Sequence, residues 1–286
     1  MINALLNRAI LAMNNAGFEV VGFSNKRQPL KLKVMPAEKL GEFGHKPEKA
    51  NAVERGGRTI GETCNLERYF GANDWRHAFR LVQDYIGNGP AEDLNLGDFI
   101  RVKFDVPAAS YDGVKFPALH VDGKVLIVEA EDGKALFNFD EIIFKSAINA
   151  RDTNKGGFSE TALAKYLNNE FLDAMGISDV LLANKDGQRI SLPTAYELFG
   201  EDDERWAPET NFFDEDDPSQ LSYFRQIKNR IKVWEDDTHW YWTSSVRASS
   251  AAHFAHCNNY GYSSGSYASA VGGVAPLLCV AKATLI

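Results

Sequence analysis

Apolar residues gather in several short runs in the middle of this chain. Residues 99–104, 117–121, 124–128 and 135–139 each read as a strand. Asp-Gly pairs at 122–123 and 132–133 fall between them, and Asp-Gly between strands is a hairpin signal. Together they predict an antiparallel meander over 98–145, closed by 141–144. Helical spacing replaces these runs elsewhere. Trp75, Phe79, Leu81, Val82 and Tyr85 predict a helix within 66–87, stopped by Gly87. Leu163, Tyr166, Leu167, Phe171 and Leu172 share one face of a second helix, expected to begin at Ser159. An apolar run at 180–183 precedes a turn at 184–187, and 190–194 leads into a short helix ending at Phe199 and Gly200. Near the start, 1–17 reads as an amphipathic helix, 18–23 and more clearly 30–34 as strands, and the Gly-rich 38–60 as loop. The fold class is α+β. The predicted division is an N-terminal α/β module at 1–92, for attachment or oligomerisation, and a larger domain at 93–286.

The end of the chain follows neither rhythm. About a quarter of the chain is charged, so a stretch as long as 240–281 should hold roughly ten charged residues. It holds one, Arg247. Small or apolar positions (Ser250 to Ala252, Phe254, Ala255, Gly261, Ala268, Ser269, Gly273, Val274) interleave with polar and aromatic singles: His253, His256, Asn258, Asn259, Tyr260, Tyr262, Ser263, Ser264, Ser266 and Tyr267. Tyr supplies contact area at low entropy cost, and Ser, Gly and Asn supply adaptable hydrogen bonds, as in surfaces that fit varied partners. From Thr243 to Ala281 there is no Lys, Glu, Gln, Met, Trp or Asp. All of these but Asp are out of reach of an Asn codon altered only at its adenines. A Ser/Gly-rich surface loop is the plainer reading of the same composition.

Trp240-Tyr-Trp-Thr243, Ser250-Ala-Ala-x-Phe-Ala255, Ala268-Ser269 and Gly273-Val-x-Pro276 resemble the C-terminus of variable proteins of diversity-generating retroelements. The Leu-Pro-Thr-x-x-Glu-Leu-Phe-Gly run at 192–200 resembles their phage-borne branch, so the likeness covers roughly 95–286. The Arg usual in the Gly-Val-Arg-Pro element is Ala275 here. The resemblance implies a C-type-lectin-like fold, shared with formylglycine-generating enzymes, and a ligand-binding face randomised by error-prone reverse transcription over about 241–281. Ser245 and Arg247 join the ten polar and aromatic singles in the expected ligand-binding set. The implied partner is a protein or glycan on a target cell surface, and particle-borne relatives are often trimers, so a homo-oligomer is the implied assembly. Phe254, Val274 and Leu278 are expected in the core, with Trp240 and Trp242 beneath the display surface. His256, Asn258, Tyr260, Tyr262, Ser264 and Tyr267 are expected exposed on one face. The last strand, about 274–282, is expected to pair centrally.

Charge and motifs narrow the alternatives. A net charge of −8 argues against a basic nucleic-acid surface. No apolar run approaches the ~20 residues of a membrane span, and the N-terminus lacks signal-peptide features. A phage particle or the cytoplasm is the expected location. Cys64, Cys257 and Cys279 are an odd, widely spaced set, unlike a disulfide framework, a zinc site or the close cysteine pair of formylglycine-generating enzymes. No nucleophile elbow, phosphate loop or His-Glu-x-x-His is present, so no catalytic residue, metal or cofactor is expected. The acidic run 201–217 reads either as a calcium loop or as a solvated one. An enzyme on the formylglycine-generating scaffold and a lectin of fixed specificity are the competing readings.

Overall fold

The computed structural model describes residues 18–20, 34–36, 63–88, 94–131, 133–200, 205–207 and 220–282. The expected helix at 1–17, the loop at 38–60 and most of the acidic run 201–217 lie outside these residues. The chain divides into two units, Met1–Ile60 and Gly61–Ile286. In the first, strands β1 (Phe18–Val20) and β2 (Val34–Pro36) pair antiparallel.

The second unit opens with two short helices where one was expected. Leu66–Phe70 is capped by the Asn65 side chain and stopped by Gly71 at φ 65°, and Trp75–Asn88 follows. The second helix lays Trp75, Phe79, Val82 and Ile86 into the core. Phe79 meets Phe137 at 5.2 Å, and the Trp75 indole N–H donates to the Lys103 carbonyl at 3.2 Å. The boundary expected at 92 therefore moves to Gly61, because the amphipathic helix buries its apolar face in the larger unit.

Strands β3 (Phe99–Val106), β4 (Ala109–Tyr111), β5 (Val114–Phe116), β6 (Leu119–Glu131) and β7 (Lys134–Phe139) follow. Their antiparallel pairing agrees with the meander, with two corrections. Asp122 and Gly123 do not turn. They pair with Lys103 and Val102 inside one long strand, and the Lys103 amine bonds the Asp122 carboxylate at 2.7 Å. The tight turn instead uses Asp112 and Gly113, both with positive φ (47° and 88°), the backbone a two-residue hairpin demands. The expected closing strand at 141–144 also shifts, since β8 (Phe144–Ser146) leaves the meander for a second sheet.

Phe158–Glu160 forms a 3₁₀ turn, and Thr161, not Ser159, caps the helical stretch 162–175, accepting from the Ala164 N–H at 3.1 Å. This stretch passes through a π turn at Leu167–Phe171 and sends Tyr166 onto Phe116, stacked at 4.2 Å, and Phe171 onto Phe104 at 5.2 Å. Strand β9 (Ile190–Ser191) precedes the helix Ala195–Phe199, which carries a capping box of Thr194 and Glu197 and ends at Gly200, φ 67°.

The remaining strands are β10 (Lys232–Trp234), β11 (Asp237–His239), β12 (Tyr241–Val246), β13 (His253–Cys257), β14 (Ser263–Tyr267), β15 (Gly272–Val274) and β16 (Leu277–Ala281). Two five-stranded sheets result, ordered β3-β6-β7-β16-β9 and β14-β13-β12-β15-β8. The expected final strand is thus two strands. Ala275 and Pro276 carry the chain from one sheet to the other, and the buried Asn138 amide donates to both of their carbonyls at 3.0 and 2.9 Å. Strand β16 lies inside its sheet, between β7 and β9, as expected of a terminal strand that pairs centrally. The unit is mixed α+β, with mostly antiparallel sheets and few helices.

Candidate functional site

The segment 240–281 supplies β12 to β16, so its scaffold is sheet and core. Phe254, Val274 and Leu278 are fully buried, as expected. Trp242 is buried and donates its indole N–H to the Ser146 carbonyl at 3.0 Å. Gly272 is needed because a Cβ there would run into the Trp240 ring.

Two expected ligand-binding residues belong to this scaffold. Ser245 is buried, and its hydroxyl accepts from the Ala195 N–H at 2.8 Å, tying β12 to the start of the helix Ala195–Phe199. His256 is 8% exposed, with its ring 4.6 Å from Trp240 and 6.2 Å from Trp242. Its Nδ1 has no hydrogen-bond partner. Burial pushes its pKa down to about 4. Both corrections have one cause: β12 and β13 are interior strands of their sheet, so Ser245 and His256 are covered although their residue types suit a surface.

Asn258, Asn259, Tyr260 and Tyr262 lie at one end of β13 and β14, and Arg247, His253 and Tyr267 at the other, about 17 Å away at the rise of an extended strand. At one end, Asn258 folds a tight turn, its side-chain oxygen accepting from the Tyr260 and Tyr262 N–H groups at 2.9 and 3.0 Å. Gly261 (φ 84°) lies against the Ile227 carbonyl, where a Cβ would approach to 3.0 Å. Asn258 is therefore part of the turn's architecture, while Asn259, Tyr260 and Tyr262 project into solvent.

At the other end sit Arg247, His253 and Tyr267. The Arg247 N–H donates to the His253 carbonyl at 3.0 Å, and His253 pairs across the ladder with Tyr267, ring centroids 4.2 Å apart. The 149–157 loop braces this end: the Asn154 amide donates to the carbonyls of Ser250 at 2.7 Å and His253 at 3.0 Å, and Asp152 accepts from the Ser269 N–H at 3.2 Å. Between the two ends, Ser263, Ser264 and Ser266 are half-buried along β14. Tyr260, Tyr262 and Tyr267 are 68%, 56% and 54% exposed, and they are the only large exposed aromatic residues among those described.

Trp206 is the participant that sequence reasoning missed. Residues 205–207 pair with 246–248, and the Trp206 indole donates to the Ser263 hydroxyl at 3.1 Å. A Cβ on Gly265 would lie 3.0 Å from this ring, so the Gly in β14 makes room for it. A lone Trp within an acidic run was the available signal.

One arrangement has the outline of a nucleophile and base. The Ser250 hydroxyl is 2.7 Å from His253 Nδ1. The same hydroxyl accepts from the Ala252 N–H, and among the described residues no carboxylate orients the imidazole, so the contact closes a turn. Cys257 and Cys279 are buried, which pushes their thiols up to about 11 and 12 and keeps them protonated. Near Cys257 the buried Lys232 donates to the Phe139 and Asp140 carbonyls, and desolvation pulls its amine down to about 8. Among the described residues no group of three His, Cys, Asp or Glu could hold a metal ion, and no helix is long and apolar enough to cross a membrane. No family model, curated protein or solved structure matches the chain.

Proposed function

We propose that this chain is a non-enzymatic ligand- or receptor-binding protein whose 241–281 segment is the variable region of a diversity-generating retroelement, carried on a C-type-lectin-like domain. The observation that carries the reading is a division of labour within that segment. Its backbone is held from outside, by Asn154, Trp206 and Ala195, while Tyr260, Tyr262 and Tyr267 stand exposed. Side chains that can change without disturbing the fold are what a diversified surface requires, and rigid exposed tyrosines are efficient contact residues. Mixed antiparallel sheets with a terminal strand returning to a sheet interior agree with the domain type. The ligand is a protein or glycan on a target cell surface, and display on a phage particle, as a homo-oligomer, is the setting the resemblance favours. Sequencing the DNA around the gene tests the proposal. A second copy of the 240–281 coding segment, differing only at adenines and lying beside a reverse transcriptase gene, is the expected finding. An isolated gene with no such copy would overturn it.

A further inference from the structure

The chain carries 39 carboxylate side chains, yet none lies between residue 238 and its end. At the Arg247 end of the sheet the described charges are mostly cationic: Arg247, Arg205 beside it, and Arg151 and Lys155 on the bracing loop. The one carboxylate bonded into this end, Asp152, is occupied by the Ser269 N–H and hydroxyl. Arg247 is half-buried, makes no ion pair among the described residues, and its buried Nε has no hydrogen-bond partner. A buried donor without an acceptor costs free energy unless a ligand supplies one. Arginine is also the side chain best shaped to take a carboxylate or sulfate through paired N–H groups.

We propose that Arg247 is the anion-reading residue of the binding face, and that the ligand is an acidic glycan whose carboxylate or sulfate seats on it. This rests on the reading of 241–281 as a binding surface and adds the ligand's chemistry. The surroundings favour a sugar. The exposed Tyr267 ring, backed by His253 at 4.2 Å, offers a flat partner for the C–H face of a pyranose. The exposed Ser249 adds a short hydroxyl side chain for a sugar hydroxyl. In a molecule of net charge −8, the described cations at this end, Arg247, Arg205, Arg151 and Lys155, outnumber its one described carboxylate and favour a polyanion.

The test uses the full chain and a slide of matched glycans: uronate-bearing and sialylated oligosaccharides beside their carboxyl-reduced forms, sulfated ones beside their desulfated forms, and Asp/Glu-rich peptides. Wild type, Arg247→Gln and Tyr267→Ala are compared, with thermal melts as a folding control. The expected result is binding to acidic glycans that falls roughly tenfold or more on removal of the anion, and by a similar factor in Arg247→Gln, as the loss of a charge-assisted pair implies. The matched glycans read the anion without altering the protein, so an unfolded variant would not spoil the result. Binding that survives Arg247→Gln and carboxyl reduction but is lost in Tyr267→Ala overturns the anion subsite and leaves the binding face standing. Equal or stronger binding to the acidic peptides overturns the glycan. Glycan binding indifferent to both substitutions, or no binding to any probe, overturns the inference, and indifference to both substitutions overturns the face as well.

Discussion

The His256 ring packs 4.6 Å from the Trp240 ring, tilted by 46°, with its Nδ1 unpaired. Burial holds this imidazole neutral, with its pKa lowered to about 4 from 6.5. The unfolded chain therefore binds a proton at higher pH than the fold does. The stability that comes from keeping the ring neutral is complete above pH 6.5 and is lost as pH falls toward 4. The loss approaches about 3 kcal/mol at pH 4. Urea unfolding of wild type and His256→Phe at pH 7 and pH 4 checks this: wild type should lose more stability than the variant by about that amount. Equal losses would show that the buried imidazole is not the group responsible.

The scaffold and the exposed aromatic residues should separate cleanly in stability. Phe254 is fully buried between strands, so Phe254→Ala should cost about 3–5 kcal/mol. Tyr260→Ala and Tyr262→Ala remove side chains that stand in solvent, and should move stability by less than about 0.5 kcal/mol. Tyr267→Ala also removes a ring pair with His253 and should cost up to about 1 kcal/mol. Chemical denaturation of the four variants measures the ladder. Tyrosine variants as unstable as Phe254→Ala would make this segment core throughout.

The split within this segment shows what a sequence can and cannot carry. The apolar runs at 99–104 and 135–139 fall within β3 and β7, and helical spacing found the faces of Trp75 and Phe171; in β3 and the helices burial of one face sets a period, whereas β7 is buried on both faces. Residue type alone could not separate His256 from His253. Both are polar singles on β13, but His256 faces Trp240 and Trp242 while His253 sits at the strand's open end. Exposure there depends on which strands flank β13, a long-range fact. The Asp-Gly pairs show the same limit: pairs at 112–113 and 122–123 have the same local chemistry, and only the eight-residue partner strand β3 makes the second one extended.

Asn154 is expected to govern the Arg247 end from a distance of about a hundred residues in sequence. Its amide satisfies the carbonyls of Ser250 and His253, and its N–H donates to Ala251. Asn154→Ala leaves two half-buried acceptors without these donors, which should cost about 1–3 kcal/mol. Amide exchange of residues 248–253 should accelerate while the strand β16 stays protected, because opening is local. Uniform acceleration over both regions would mean the loop carries global stability instead.

Lys232 gives a pH dependence of the same sign as His256, in a more alkaline window. Its amine is buried under Tyr241 and Cys257, bonded to the carbonyls of Phe139 and Asp140, and desolvation lowers its pKa from 10.5 to about 8. In the unfolded chain the amine keeps its proton to 10.5, so between pH 8 and 10.5 the unfolded state binds more protons than the fold. Stability from this group therefore rises across that window, by up to about 3 kcal/mol. The buried thiols Cys257 and Cys279 act in the other direction. Their pKa values are raised, so stability falls above pH 9 as the unfolded thiols ionise. Comparing wild type with Lys232→Met separates the two effects, since both proteins keep the thiols. Between pH 7.5 and 10 wild type should gain on the variant by about 2–3 kcal/mol in urea unfolding. A constant difference across that range would mean that the Lys232 amine keeps its ordinary pKa in the fold, and that the two backbone carbonyls hold it charged.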